Sequence, residues 1–342
     1  MKEVLDDLTR WLAAGEGDIA LATVLATWGS APRRVGAKMA FTAGGAAISG
    51  SVSGGCDEGA VIEAGSEALA DGRPRRLRFG VADETAWGVG LACGGTIEVF
   101  VAPLNADAYA AARRWSDDGG RGALLTVVAG PEALLGRVAV VEEGRLVDGG
   151  LGEGLEEGAP ALAAAPEPRL VAAAEGVEVF VDPIGPLPTL VMIGGAHIAV
   201  ALARLAAVLG YRTVVIDPRR AFGSAARFPD VDRLLPSWPD KALREEPLGA
   251  ASAVVTLSHD PKIDDPALKA ALASEAFYIG ALGSRKTNAA RRERLAAAGF
   301  SEAQLARIHA PVGLAIGAQT PEEIALAIMA EIVQTRRAAP TA

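Results

Sequence analysis

Apolar residues Val4, Leu5, Leu8, Trp11 and Leu12 recur at the spacing of one helical face, so the chain is expected to open with an amphipathic helix. Residues 18–27 predict a strand, closed by the turn Gly29-Ser30-Ala31-Pro32-Arg33-Arg34. Residues 37–42 and 46–51 flank Gly44-Gly45, a hairpin pattern. After Cys56 the pattern turns helical, with Asp57 and Glu58 in the first turn, where carboxylates complement the helix dipole. Residues 96–102 predict a further strand. The stretch 105–180 mixes short strands (123–128 and 137–141) with Gly/Glu-rich loops and shows no motif. Pro183, Pro186 and Pro188 then mark a linker.

Beyond the linker the rhythm becomes strand, helix, strand, helix. Residues 189–193, 213–216, 251–257 and 276–279 are continuous apolar runs, the pattern of a parallel sheet covered on both faces. Thr320-Pro321-Glu322-Glu323 is a capping box with Pro at the first helical position. It opens a last helix carrying Ile324, Ile328 and Ile332. The expected fold is α/β: an N-terminal mixed α+β domain followed by a Rossmann-like, doubly wound parallel-sheet domain. The expected boundaries are 1–184 for the first, 185–188 for the Pro-rich linker and 189–336 for the second.

Composition narrows the chemistry. The 342 residues are 50% hydrophobic and 22% charged, with a net charge of −9 that leaves no basic footprint for nucleic acid. No apolar run reaches membrane-spanning length, and acidic residues near Met1 stand where a signal peptide has its apolar core, so a cytoplasmic protein is expected. Two cysteines build no disulfide framework, and His197, His259 and His309 are too scattered for a zinc site.

Two places carry candidate chemistry. Gly50-Ser51-Val52-Ser53-Gly54-Gly55-Cys56 joins a glycine-rich loop to a helix start, where unpaired backbone amides attract anions and a thiol is favoured as thiolate. Asp57 and Glu58 compete there with any bound anion. Cys93-Gly94-Gly95 repeats the combination in mirror order. Set against this, two thiols in so long a chain are ordinarily core fillers. The second place is Gly194-Gly195-Ala196-His197, a strand-to-helix turn with Asp217 about 20 residues on, where a ribose-binding acid falls. Ala196 stands at the glycine position that lets backbone approach a pyrophosphate, which counts against NAD(P). His259 and Arg285, after later strands, sit where open parallel sheets bind ligands.

Several segments resemble one family. Gly29 to Arg33, Gly36-Ala37-Lys38-Met39, Gly50 to Gly59 and Cys93 to Phe100 are similar to the N-terminal motifs of the XdhC/CoxI family, accessory proteins of molybdenum hydroxylases such as xanthine dehydrogenase. Gly194 to Ala199, Ser258-His259-Asp260 with Asp264-Asp265-Pro266-Ala267-Leu268, Tyr278 to Arg285 and Pro311 to Glu323 resemble its Rossmann domain. The resemblance implies a carrier that binds molybdenum cofactor, helps a cysteine desulfurase sulfurate it, and passes it to an apo molybdenum hydroxylase. On that reading Ser53, Gly54, Gly55, Cys56, Cys93, Gly94 and Gly95 hold the cofactor, with Cys56 near the molybdenum and Arg33, Arg34 or Lys38 on its phosphate. Gly194, Gly195, His197, Asp217, His259 and Arg285 form a second binding surface, and a homodimer is expected. The hydroxylase itself is excluded: two [2Fe–2S] clusters need about eight cysteine ligands, and the chain has two cysteines. The alternatives are a small NAD(P)-dependent oxidoreductase and a protein-interaction module with relic sites.

Overall fold

The computed structural model describes residues 2–80, 95–118, 120–165 and 167–338. The chain divides into two compact units between Pro186 and Leu187.

The N-terminal unit holds two five-stranded sheets. In the first, Ile19–Trp28 is central, flanked by Lys38–Thr42 and Ile48–Gly50 on one side and by Thr96–Pro103 and Arg75–Phe79 on the other. All its pairings are antiparallel. The helix Lys2–Ala13 buries Val4, Leu5 and Leu8, as their spacing predicts. The helix Glu58–Asp71 packs on the sheet so closely that a methyl group at Gly65 would lie 2.3 Å from the Phe41 ring. Phe41 is fully buried and cannot swing aside. Gly65→Ala is therefore expected to lower stability by about 1–3 kcal/mol, the usual range for an overpacked core, read from the urea midpoint.

The stretch 105–180, motif-poor in sequence, is built in its described residues from regular elements. It forms the helix Ala106–Asp118 and a second sheet, with Gly122–Ala129 central, Val138–Glu142 and Arg145–Gly149 on one side, and Val177–Ile184 and Arg169–Ala174 on the other. The short helix Ala159–Ala163 falls between its third and fourth strands. Strand order and helix positions match the first sheet element for element. Leu25, Phe100, Val128 and Phe180 pack together between the sheets. Two ion pairs also join them. Arg76 reaches both Glu98 and Glu178, and Lys38 Nζ lies 2.9 Å from Asp182 Oδ2.

The C-terminal unit is a six-stranded parallel sheet in the spatial order Arg233–Leu235, Arg212–Ile216, Thr189–Ile193, Ser252–Thr256, Tyr278–Ala281, Ile308–His309. Relative to the chain this order reads 3-2-1-4-5-6, the Rossmann arrangement, with its switch point between Thr189–Ile193 and Ser252–Thr256. The helices His197–Val208 and Pro321–Ala338 cover one face and Pro261–Leu272 the other, each burying its own apolar cluster. No helix among the described residues is long and apolar enough to cross a membrane.

Candidate functional site

The loop after Ile48–Gly50 turns back on itself because Gly50, Gly54 and Gly55 adopt positive φ, the region only glycine enters freely. A Cβ on Gly50 would stand 2.2 Å from the Lys38 carbonyl oxygen. Ser53 is buried within the loop, while Gly54, Gly55 and Cys56 are exposed, so the thiol meets solvent. Pro32 lies against Gly54, Arg33 Nε donates to the Ser51 carbonyl at 2.9 Å, and Gly95 abuts the Ser30 backbone. The structure thus brings together the 29–33 turn, the 50–57 loop and Gly95. Cys93 and Gly94 lie outside the described residues.

The amides of this loop are already engaged. Glu58 accepts from Ser51 Oγ at 2.7 Å, Ser53 N at 3.1 Å and Gly55 N at 2.9 Å, and also from the Ser53 hydroxyl. Ser53 Oγ in turn accepts from Cys56 N at 3.1 Å and Asp57 N at 2.8 Å. Burial works against the Glu58 charge, but the hydrogen bonds from Ser53 and Ser51 outweigh it and hold the carboxyl down to about 2. The expected phosphate cradle therefore has Glu58 as its resident anion. Lys38 corrects the sequence reading as well. Its ammonium is buried, bonded to Thr23 Oγ1 at 3.0 Å and set against Asp182, so it is spent on an interior ion pair. Arg33 is shared between Ser51 and Glu3.

Asp57 is the outlier of the loop. It is fully buried, and among the described residues neither carboxyl oxygen has a hydrogen-bond donor. Burial, and then the neighbouring Glu58 charge, push its pKa up. An exposed soft thiol and a buried carboxyl without a partner fit a ligand with a soft metal and hydrogen-bond donors. The amides of 53–57 do not fit that ligand's phosphate. Among the described residues no group of three or more His, Cys, Asp or Glu is set to hold a metal ion.

In the C-terminal unit Asp217 is fully buried, and both of its oxygens are taken. Oδ2 accepts from Gly195 N at 2.8 Å and Arg219 at 2.7 Å, and Oδ1 from Arg219 N and Nε, both at 2.9 Å. These bonds overcome the burial penalty and lower its pKa. Phe222 closes over the turn, for a Cβ on Gly195 would lie 2.3 Å from its carbonyl oxygen. Asp217 is thus a latch on the glycine turn, and the ribose role expected for it is not available to this arrangement. Ala196, at negative φ, is accommodated as the N-cap of the following helix. His197 is exposed, 3.9 Å from Glu322. His259, also exposed, takes φ of 61° beside the switch point, and Arg285 opens its helix exposed to solvent. Beneath His259, Ser258 donates to Asp264 at 2.6 Å, and buried Asp264 pairs with buried Arg291 at 3.2 Å. Sequence reasoning missed this pair: Asp264 lies in a stretch that resembles the family's Rossmann domain, but nothing in the sequence ties it to Arg291, which only tertiary packing brings against it.

Comparison with known proteins agrees with this architecture. A family model described as XdhC and CoxI family matches residues 11–80, and one described as XdhC Rossmann domain matches residues 190–332. A Bacillus subtilis (strain 168) protein, named as a probable subunit of xanthine dehydrogenase, is 30% identical over 333 residues, 95% of this chain and 96% of that one. The "Molybdenum cofactor insertion chaperone PaoD" of Escherichia coli (strain K12) is 28% identical over 326 residues, 95% of this chain and 85% of its own. A Bacillus halodurans crystal structure described as a xanthine dehydrogenase aligns with a TM-score of 0.78 at 25% identity, covering 98% of this chain and 96% of that one. With both family models matched in order and a relative similar along nearly its whole length, the chain belongs to the XdhC and CoxI family.

Proposed function

We propose that this protein binds molybdenum cofactor and delivers it to a molybdenum hydroxylase of the xanthine dehydrogenase kind, assisting its sulfuration together with a cysteine desulfurase. A cytoplasmic homodimer belongs to the same reading. The observation that carries it is the exposed Cys56 thiol, on a braced glycine loop beside a buried carboxyl that has no hydrogen-bond donor among the described residues. The name of the PaoD relative supports it, and so does a cysteine count far short of what an iron–sulfur hydroxylase needs. The cofactor supplies a soft molybdenum centre with sulfur ligands, for which a thiolate is a matched donor. Cys56 would approach that centre, and Asp57 would accept from a donor on the pterin.

The test is anaerobic purification from molybdenum-replete cells, with bound pterin measured by mass spectrometry. Wild type is expected to carry stoichiometric pterin. Cys56→Ser, which keeps the volume and removes the soft donor, is expected to lose at least about tenfold in affinity with unchanged circular dichroism. Absence of pterin from wild type, or full retention by the serine variant, overturns the proposal.

A further inference from the structure

The two sheets of the N-terminal unit agree in sequence as well as in strand order. Superposing their hydrogen-bonded registers sets Ala20-Leu21-Ala22-Thr23-Val24-Leu25-Ala26 on Ala123-Leu124-Leu125-Thr126-Val127-Val128-Ala129. It also sets Glu98-Val99-Phe100-Val101-Ala102-Pro103 on Glu178-Val179-Phe180-Val181-Asp182-Pro183. The turns agree bond for bond. Gly36 N donates to Val24 O and Gly136 N to Val127 O, while Ser51 N donates to Lys38 O and Gly150 N to Val138 O. The close approaches are reciprocal: a Cβ on Gly36 would meet Pro168, and one on Gly136 would meet Pro74. Pro74 and Pro168 each immediately precede the fourth strand of their own sheet.

This register lays the thiol loop on a second loop without a gap. Gly50-Ser51-Val52-Ser53-Gly54-Gly55-Cys56-Asp57-Glu58-Gly59 falls on Gly149-Gly150-Leu151-Gly152-Glu153-Gly154-Leu155-Glu156-Glu157-Gly158. Val52 and Leu151 are both fully buried. In the second loop Glu156 accepts from Gly152 N at 2.9 Å, the counterpart of the Ser53 N bond to Glu58. The brace comes from different positions, however: Glu156 matches Asp57, and Glu58 matches Glu157. The residue matched to Cys56 is Leu155, which is buried in the core of the second sheet.

We propose that the two halves of the N-terminal unit are copies of one module, and that Glu58 is the positioning residue that keeps Cys56 turned outward in the first copy. Shifting the brace one residue along turns the Cys56 side chain to solvent where the second copy keeps Leu155 inside, and it leaves Asp57 without a hydrogen-bond donor among the described residues. The functional importance of Cys56 rests on the reading above. The bracing role does not.

The experiment uses the full chain in a Cys93→Ser background, so that Cys56 is the single thiol, and no pterin. Amide exchange at Ser53 and Gly55 and the iodoacetamide alkylation rate of Cys56 are measured for wild type, Glu58→Ala and Asp57→Glu/Glu58→Ala. Glu58→Ala is expected to lose about tenfold in amide protection and to slow alkylation several-fold as the loop turns inward, with circular dichroism unchanged. Asp57→Glu/Glu58→Ala, which moves the brace to the position of Glu156, is expected to restore amide protection while alkylation stays slow. Unchanged protection in Glu58→Ala, unslowed alkylation in that variant, or failure of the double variant to regain protection overturns the proposal. None of these readouts depends on whether the protein carries a cofactor.

Discussion

Lys38→Met is expected to destabilise the N-terminal unit by about 3–5 kcal/mol, the typical loss when one partner of a buried ion pair is removed. Lys38 and Asp182 are both almost fully buried, and the cavity of about 60 Å³ that they line is walled largely by Leu21, Phe100, Leu124 and Phe180. Burial works to raise the Asp182 pKa, yet the Lys38 charge lowers it on balance, so the pair resists protonation. Without Lys38 the carboxylate is left among apolar walls. Asp182→Val strands the ammonium in the same way and should lose a similar amount. The double variant Lys38→Met/Asp182→Val is expected to come back to within about 1 kcal/mol of wild type, because apolar replacement of a whole buried pair is often neutral. The fold contains its own precedent, since the matched positions in the other copy are Val138 and Ala102. Urea unfolding of the four proteins completes the cycle, and additive losses would show that the charges are not coupled. The wild-type pair also makes stability pH-dependent. A carboxyl lowered in the folded state stabilises above its unfolded pKa of 3.8 and gives that up as pH falls further.

The Rossmann half was legible because a parallel sheet buried on both faces leaves continuous apolar runs such as Leu190 to Ile193 and Ala253 to Val255, and these are strands. The stretch 105–180 was not legible in the same way. Its apolar runs 123–128 and 137–141 do read as strands, but Arg145–Gly149 is exposed at most positions and ends in glycine, so periodicity within one window could not tell it from loop. The information lay instead in the comparison of two windows, Glu98 to Pro103 against Glu178 to Pro183, which only a search for internal repeats brings out. The site shows the same division. The exposed Cys56 and its glycines were readable as a loop that has no use as core. The role of Glu58 was not, because a first-turn acid suits the helix dipole whether it faces solvent or folds back on Ser53 and Gly55. Asp217 and Lys38 were misread for a shared reason. Sequence gives the charge of a side chain and its place in a motif, whereas its partner, Arg219 or Asp182, is fixed only by tertiary packing.

Asp264 and Arg291 give the other large effect, and here the two single variants should differ. Arg291 is buried against Asp264, with further bonds to Asn288 and the Leu282 carbonyl, and its Nε has no acceptor among the described residues. Guanidinium cannot shed its proton in a protein, so Asp264→Asn leaves a permanent buried charge without a counterion. That loss is expected near the top of the range of about 3–5 kcal/mol and flat in pH between 5 and 8. Arg291→Met leaves a carboxyl that has a way out. Burial already holds the Asp264 pKa above its ordinary value against the pull of Ser258 and Arg291, and without Arg291 it rises further. The group can then take up a proton and keep its bond to Ser258 Oγ, with the hydroxyl hydrogen turned to suit. A carboxyl raised in the folded state is at full stability below its unfolded pKa and loses it as pH rises through the folded value. Arg291→Met should therefore be mild at pH 5 and grow worse towards pH 8, by up to about 1.4 kcal/mol per pH unit between the unfolded and the folded pKa of Asp264, and level off above the folded value. Urea unfolding at four pH values separates the two variants, and parallel pH profiles would show that Asp264 keeps its charge when its partner is removed.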